Sequence, residues 1–150
     1  EKSKLVLLLR NNLKSKGQLI AGKLLEKIQI RATENFRLIS GRNEGIVWKS
    51  DISSAYQVYL LLPNGKQRNF DVLSGGEQMM VAISLRAAMN SILTNSKFVI
   101  FDEPTANLDN EKRKALSESL NYILHSLDQA IIVTHDDTFM EMAQNIYEFN

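Results

Sequence analysis

The hydrophobic positions follow three different periods along the chain, and each period predicts a different structure. In residues 1–39, apolar residues recur at intervals of four and seven between lysines and arginines, the pattern of one helix face. Ser40 and Gly41 are a plausible stop signal for this predicted helix. The repeat is too interrupted to establish a coiled coil, so a helix packed on one side and the stub of a coiled coil both stay open. The apolar positions are Leu5, Leu9, Leu13, Ile20, Leu24 and Ile28.

A β region follows the predicted helix. The patterns of residues 45–51 and 56–62 predict two strands, and residues 67–70 predict a third. The last two strands are separated by Pro63, Asn64, Gly65 and Lys66. Because Asn-Gly readily adopts the positive φ angles of a tight turn, this segment predicts a β-hairpin.

From residue 73 onward, helical and strand patterns alternate, which is typical of an α/β fold with a largely parallel sheet and flanking helices. The runs at 97–101 and 130–133 are apolar without alternation, as expected of strands buried on both faces. The remaining segments predict helices at 76–90, 111–125 and 138–144 and a terminal strand at 146–149.

Composition and charge exclude several classes of protein. The chain has 150 residues, 44% of them hydrophobic, which suits one globular domain with a proper core. Lys and Arg number 18 against 17 Asp and Glu, so the net charge of +1 does not indicate a nucleic-acid binder. The lack of cysteine excludes disulfides and Cys-based zinc sites. No segment has the pattern of a membrane span or a signal peptide. Because the helical pattern begins at residue 1 without a Met, we expect a fragment of a longer protein.

The stretch GQLIAGKL at residues 17–24 has the glycine and lysine spacing of a phosphate-binding loop. Such a loop follows a buried strand and supplies a Ser or Thr hydroxyl to Mg²⁺ directly after the lysine. Here Leu24 follows Lys23, and the flanking pattern is helical. We therefore expect Gly17 and Gly22 to lie within a helix and the phosphate loop to lie elsewhere.

Three short motifs lie at the ends of the later elements, where α/β sheets place ligand chemistry. The first is LSGGEQ at 73–78, at the start of a predicted helix. Ser74 with Gly75 and Gly76 would let a hydroxyl and backbone N–H groups approach a phosphate at the positive end of the helix. An ordinary helix cap explains the same residues equally well.

The second motif, FVIFDE at 98–103, delivers two adjacent carboxylates to the end of a predicted buried strand. Adjacent strand residues point to opposite sides, so Asp102 and Glu103 should have different roles. One can hold Mg²⁺ and the other can orient or deprotonate an attacking water. A strand that simply ends in solvated acids is the alternative.

The third motif, IIVTHD at 131–136, places His135 at the end of a second buried strand, which should lie beside the first. Its imidazole could then reach the same phosphate as the two acids. His125, in the tail of a predicted helix, is interpreted as structural.

The order of LSGGEQ, FVIFDEPTANLD and IIVTHD resembles the C-terminal half of an ABC-type ATPase head, over residues 40–150. The resemblance implies that ATP and Mg²⁺ are the ligands. It implies that Asp102 serves Mg²⁺, Glu103 is the catalytic base and His135 senses the γ-phosphate. It also implies that residues 106–109, with Asp109, cross a dimer interface. The γ-phosphate held by a second head would be bound by the residues of the first motif, Ser74, Gly75, Gly76, Glu77 and Gln78.

A long helix and hairpin before LSGGEQ resemble the C-terminal lobe of SMC-type heads, with residues 1–39 as the base of a returning coiled coil. The segment after Glu103, PTAN, is closer to Rad/SbcC-type DNA double-strand-break repair ATPases than to chromosome-structuring SMC proteins. Gln78 departs from this resemblance, because such repair ATPases often have a basic residue there. That departure puts in doubt any conformational switch of the signature helix that depends on a positive charge at position 78.

The resemblance implies an intracellular ATPase, not bound to a membrane, that is complete only with its own N-terminal Walker A lobe and a second head. A Mre/SbcD-type nuclease and double-stranded DNA are the further partners it implies. Lys49, Lys66 and Arg68 put positive charge on the hairpin, although solvated lysines are the ordinary interpretation. The alternatives are an ABC transporter ATPase subunit, a chromosome-structuring SMC head and a dimerisation module without enzymatic activity.

Overall fold

The computed structural model describes residues 2–51, 54–94, 97–106, 108–124 and 127–149. Three α-helices, five strands and two short 3₁₀ helices account for most of these residues. The helices are α1 (Lys2–Ser40), α2 (Gly75–Leu93) and α3 (Asn110–Leu124). The strands are β1 (Gly45–Asp51), β2 (Ser54–Leu61), β3 (Gln67–Asn69), β4 (Phe98–Asp102) and β5 (Gln129–Val133). The 3₁₀ helices are Phe70–Val72 and Asp137–Met142.

Helix α1 has an exposed first half and a packed second half. Val6, Leu13 and Ile20 are exposed, whereas one face of the second half is buried against α2, α3 and β1. The buried set recurs at helical spacing, which places it on one face: Ile28, Ala32, Phe36 and Ile39. The helix ends at Gly41, whose φ of 64° and N–H bond to the Arg37 carbonyl (3.0 Å) close the last turn. The predicted end of the helix is confirmed.

Strands β1, β2 and β3 form an antiparallel sheet in that order. Ile46 faces Leu60 across β1 and β2, and both side chains are buried. The turn between β2 and β3 needs a positive φ, which Gly65 adopts at 81°. The N–H of Leu62 donates to the Lys66 carbonyl (2.9 Å) and closes the turn. Thr33 of α1 accepts the N–H of Ile46 (2.9 Å) and so attaches the sheet to the long helix.

Strands β4 and β5 form a separate parallel pair, in which Phe98 faces Gln129 and Asp102 faces Val133. One side of this pair packs against the core through Phe101, which is buried, and Val99 and Ile132, which are half-buried. The opposite side is exposed. We call it the open face, and it consists of Phe98, Ile100, Ile131 and Val133.

Three expectations from the sequence need correction. The parallel pairing expected after residue 73 is seen in β4 and β5, but these strands are not buried on both faces as predicted, because the side chains of their open face are exposed. Residues predicted as a helix at 138–144 form the 3₁₀ helix Asp137–Met142, which Asp136 caps. Residues 146–149 form no strand, because no described strand pairs with them. The predicted end of α3 at His125 lies outside the described residues.

Candidate active site

The two acids and the histidine meet at one edge of the parallel pair. Because β4 and β5 run in parallel and in register, their carboxyl ends coincide where Asp102 faces Val133. His135 Nδ1 lies 2.8 Å from Glu103 Oε2, and the imidazole is 80% exposed. Contact with Glu103, together with its negative charge, raises the pKa of His135 above its ordinary value. We call Asp102, Glu103 and His135 the acid edge.

Glu103 occupies a strained backbone conformation. Its φ is 46°, in the left-handed region that costs a residue with a side chain about 1–2 kcal/mol. The N–H of Glu103 donates to the Val133 carbonyl (2.8 Å), and its carbonyl accepts the N–H of Ala106 (3.1 Å). Although the side chain is 35% exposed, Oε2 is buried and accepts no well-aligned hydrogen bond from the described residues. Oε2 therefore lies close enough to His135 for attraction between charges, but no well-aligned hydrogen bond joins the two groups. One lone pair of this oxygen stays free.

A polar cluster lies directly behind the acid edge. The Thr105 hydroxyl, only 1% exposed, donates to Asp136 Oδ2, while Asp136 Oδ1 accepts the N–H of Thr138 (2.9 Å). Arg113 of α3 reaches to 3.6 Å from Asp136 and donates to the Leu108 carbonyl (3.0 Å). Burial favours a higher pKa for Asp136, but hydrogen bonds from Thr105 and Thr138 outweigh it, so the pKa is lowered. We call Thr105, Arg113, Asp136 and Thr138 the loop clamp.

The sequence interpretation missed the loop clamp, although a signal was available. Thr105 comes two residues after Glu103, and Asp136 comes directly after His135. Two parallel strands that end together also bring the residues after their ends together. Arg113 gives no comparable signal, because its contact with Asp136 depends on how α3 packs.

The first motif forms the N-terminus of α2. Ser74 Oγ accepts the N–H of Glu77 (3.4 Å), and Glu77 Oε2 accepts the N–H of Ser74 (3.0 Å), which is a reciprocal capping box. Ser74 and Gly75 are exposed and Gly76 is buried. The side chain of Gln78 donates to the Phe70 carbonyl (3.1 Å) and so ties α2 to the preceding 3₁₀ helix. An exposed hydroxyl therefore stands at the positive end of a capped helix.

The Glu77 carboxylate is enclosed by arginines. Arg68 of β3 binds it through two parallel hydrogen bonds of 2.9 Å, and Arg42 approaches to 2.9 Å while also pairing with Glu44. Glu77 is 12% exposed, and burial alone would raise its pKa. Hydrogen bonds from Arg68, Ser74 and Arg42 lower that pKa to about 2. We call Arg42, Glu44, Arg68 and Glu77 the arginine cluster.

The remaining candidate residues have local contacts. Asp109 caps α3, since its carboxylate accepts the N–H of Lys112 (2.9 Å) and pairs with the Lys112 ammonium. These hydrogen bonds from Lys112 lower the pKa of Asp109. Asn107 lies outside the described residues. Within the described part of the chain, no hydrogen bond or ion pair joins residues 74–78 to the acid edge.

A family model for the RecF/RecN/SMC N terminal domain matches residues 7–150. The chain belongs to the RecF/RecN/SMC N-terminal domain family. Among its curated relatives, the DNA double-strand break repair Rad50 ATPase of Sulfurisphaera tokodaii is 32% identical over 97 residues, which are 64% of this chain and 11% of that protein. The Archaeoglobus fulgidus protein of the same name is 26% identical over 143 residues, 92% of this chain and 16% of that protein. The chain thus spans only about a tenth to a sixth of these relatives' length.

Solved structures show the same fold at lower identity. The Smc head domain of Pyrococcus furiosus, solved with an extended coiled coil and bound to the C-terminal domain of ScpA, matches with a TM-score of 0.75 and 19% identity. That match covers 93% of this chain and 36% of the solved chain. The Smc head domain of Pyrococcus yayanosii matches with the same TM-score and identity over 94% of this chain and 28% of the solved one. The chain therefore has the α/β fold seen in SMC head domains.

For this family member, residues 17–24 hold no phosphate loop. They lie inside α1, where Gly17 and Gly22 face open space and Lys23 is exposed. Backbone N–H groups inside a helix are already bonded to carbonyls four residues earlier, so they cannot surround a phosphate. The predicted helical nature of GQLIAGKL is confirmed.

The acid edge fits a magnesium ion in part. Mg²⁺ is held in such sites by one or two carboxylates together with phosphate and water oxygens. Asp102 offers one exposed carboxylate at the end of the open face. No three His, Cys, Asp or Glu side chains gather as a metal site in the part of the chain that the structure describes. The residues present thus suit a metal that receives its other ligands from a bound phosphate and water.

None of the described helices is long and apolar enough to cross a membrane.

Proposed function

We propose that this chain is the C-terminal lobe of an SMC-like ATPase head that hydrolyses ATP in DNA double-strand-break repair. In this proposal residues 1–39 are the base of a coiled coil and residues 40–150 are the lobe. The observation that supports it most strongly is the acid edge. Two parallel strands bring Asp102, Glu103 and His135 together in a family whose similar members are named ATPases.

Each residue of the acid edge has a distinct proposed role. Glu103 accepts the proton of the water that attacks the γ-phosphate, and its side chain is 35% exposed at the edge where that water would lie. His135, exposed beside Glu103, contacts the γ-phosphate. Asp102 would hold Mg²⁺, and that ion would neutralise the negative charge that develops on the phosphate oxygens.

The N-terminus of α2 is proposed to meet the phosphate of a second head. Ser74 and Gly75 are exposed, and no described contact links them to the acid edge of their own chain. The Glu77 carboxylate is held by Arg42 and Arg68, so phosphate contact falls to the Ser74 hydroxyl and the nearby backbone N–H groups. Glu77 and Gln78 then contribute by holding the helix start in place. Asp109 and its loop lie across the proposed dimer interface.

The open face supports the proposal of a missing N-terminal lobe with a Walker A loop. Its four large apolar side chains are exposed on one side of a two-stranded sheet that has an acid at its end. Soluble proteins seldom leave such a contiguous patch uncovered. A lobe that extends the sheet beside β4 and β5 and packs helices on this side would cover the open face and bring a phosphate loop to Asp102.

The proposed partners rest on the similar proteins. Relatives of this chain are named as DNA double-strand break repair ATPases, which supports double-stranded DNA as a partner within the cell. The Mre/SbcD-type nuclease is proposed from the resemblance of residues 98–109 to repair ATPases. Of the three basic residues on the hairpin, Arg68 is bound to Glu77 and Lys49 donates to Gln67 (2.9 Å). The exposed Lys66 is therefore the first candidate DNA contact, ahead of Lys49.

Calorimetry and turnover assays test the proposal. We expect the intact protein to bind Mg-ATP and hydrolyse it, with turnover stimulated by DNA ends and by the nuclease. The 150-residue chain alone should bind ATP negligibly, because the phosphate loop is absent from residues 17–24. Micromolar binding by the isolated chain would refute the division into two lobes, and an intact protein without ATP turnover would refute the ATPase function.

A further inference from the structure

The backbone of Glu103 needs support from outside its own loop. A non-glycine residue with a φ of 46° persists only where surrounding contacts hold it in place. Its N–H is fixed on β5 through Val133, and its carbonyl is fixed by Ala106 within the same loop. The loop 103–106 therefore needs an anchor of its own.

The Thr105 hydroxyl supplies that anchor. It is the buried hydroxyl nearest in sequence to Glu103, and it donates to Asp136 in the loop after β5. Asp136 is itself fixed by the N–H of Thr138 and by Arg113 from α3. The carboxylate therefore joins three segments: the loop with Glu103, the loop with His135 and the third helix.

We propose that Thr105 and Asp136 are positioning residues for Glu103, because the hydrogen bond between them fixes the loop after β4 against the loop after β5. This inference rests on the proposed ATPase function and extends it to residues behind the reacting groups. Neither residue contacts the substrate in this account. They act by keeping the Glu103 carboxylate and the His135 imidazole at their 2.8 Å separation.

The test compares two substitutions at Thr105 in the intact protein. Thr105→Val keeps the shape and removes the hydroxyl, whereas Thr105→Ser keeps the hydroxyl. Ser84→Ala is the matched control, because Ser84 is a buried hydroxyl that donates to the Met80 carbonyl of its own helix (2.7 Å) and contacts no member of the loop clamp through that bond. The measurements are kcat and KM for ATP and hydrogen exchange in peptides covering 103–106 and 134–138.

Thr105→Val should lower kcat by about tenfold or more with KM for ATP changed by less than about twofold, since misplacement of a reacting group affects the chemical step. Exchange should become faster in both peptides together. Thr105→Ser should restore kcat to within about twofold of wild type, and Ser84→Ala should leave kcat unchanged. If Thr105→Val does not fold, Asp136→Asn replaces it, with the same fall in kcat expected.

Several outcomes would overturn the inference. Unchanged kcat in Thr105→Val, failure of Thr105→Ser to restore it, or faster exchange confined to 103–106 would each show that the bond is only local packing. A wild-type protein without ATP turnover would refute the proposed function instead. The exchange pattern would then decide by itself whether the clamp links the two loops.

Discussion

The two motif regions of this chain differ in how completely their charges are satisfied. In the arginine cluster, Glu77 is bound by two guanidinium groups and by the cap of its own helix. At the acid edge, the Glu103 carboxylate lies 2.8 Å from His135, and the two side chains are 35% and 80% exposed. The first region is complete within the chain, and the second has room for a further ligand.

This difference separates stability from chemistry. A partly buried carboxylate with two cationic partners should contribute mainly to folding, because removing it takes away the carboxylate that Arg68 binds and leaves Arg42 with Glu44 alone. A carboxylate with a free lone pair and a strained backbone should contribute little to stability, and it is placed to react. Substitutions in the two regions should therefore have opposite effects on unfolding and on turnover.

The largest effect is expected for Glu103→Gln in the intact protein. The amide keeps the shape of the side chain and cannot accept the proton, so ATP turnover should fall about 10²- to 10⁴-fold with nucleotide binding retained. Steady-state turnover and calorimetry measure the two quantities. Glu118→Gln, on the exposed surface of α3, is the control and should turn over ATP normally. A Glu103→Gln variant with wild-type turnover would remove Glu103 from the mechanism.

Next in size is Glu77→Gln, which should lower the free energy of unfolding by about 2 kcal/mol. The fall of the Glu77 pKa to about 2 corresponds to a larger free energy than this, but both arginines are partly exposed and solvent screens the interaction. Urea unfolding of the chain measures it. Glu34→Gln, in an exposed ion pair with Arg31, is the matched control and should cost less than about 0.5 kcal/mol. Equal costs for the two variants would show that the arginine cluster is no more than a surface feature.

A pH series sharpens the same comparison. The Glu77 pKa is about 2 in the folded chain against an ordinary 4.5, so between these values the unfolded chain binds the extra proton. The stabilisation by Glu77 is thus complete above pH 4.5 and is lost as the pH falls through 2. The difference in unfolding free energy between wild type and Glu77→Gln should shrink across this window. A constant difference would contradict the assigned charge state.

The smallest effect is expected for Lys23→Ala. Lys23 is exposed on α1, so its removal should change the unfolding free energy by less than about 0.5 kcal/mol. Nucleotide affinity of the intact protein should stay the same. Loss of ATP binding in this variant would mean that residues 17–24 act as a phosphate loop after all.

Much of the fold could be predicted from local patterns. Residues 45–51 form β1 as predicted, and Gly41 and Gly65 adopt the positive φ angles that their stop and turn signals imply. The meeting of Glu103 with His135 also followed from two buried strands that should lie side by side. These features depend on neighbours in sequence or on parallel pairing, which short motifs describe well.

Other features depend on packing between distant segments. Arg42 and Glu77 are 35 positions apart, and nothing in either local pattern indicates their contact. The positive φ of Glu103 likewise follows from bonds to Val133 and Ala106 and not from its residue type.

The central claim is that Ser74 of one head and the acid edge of another complete a single ATP site. Sedimentation velocity of the intact protein with Mg-ATP tests it most directly, with Glu103→Gln compared with Glu103→Gln combined with Ser74→Arg. We expect the first variant to form an ATP-dependent dimer and the second to bind ATP as a monomer. A dimer of equal stability in both variants, or no ATP-dependent dimer in the first, would contradict the account.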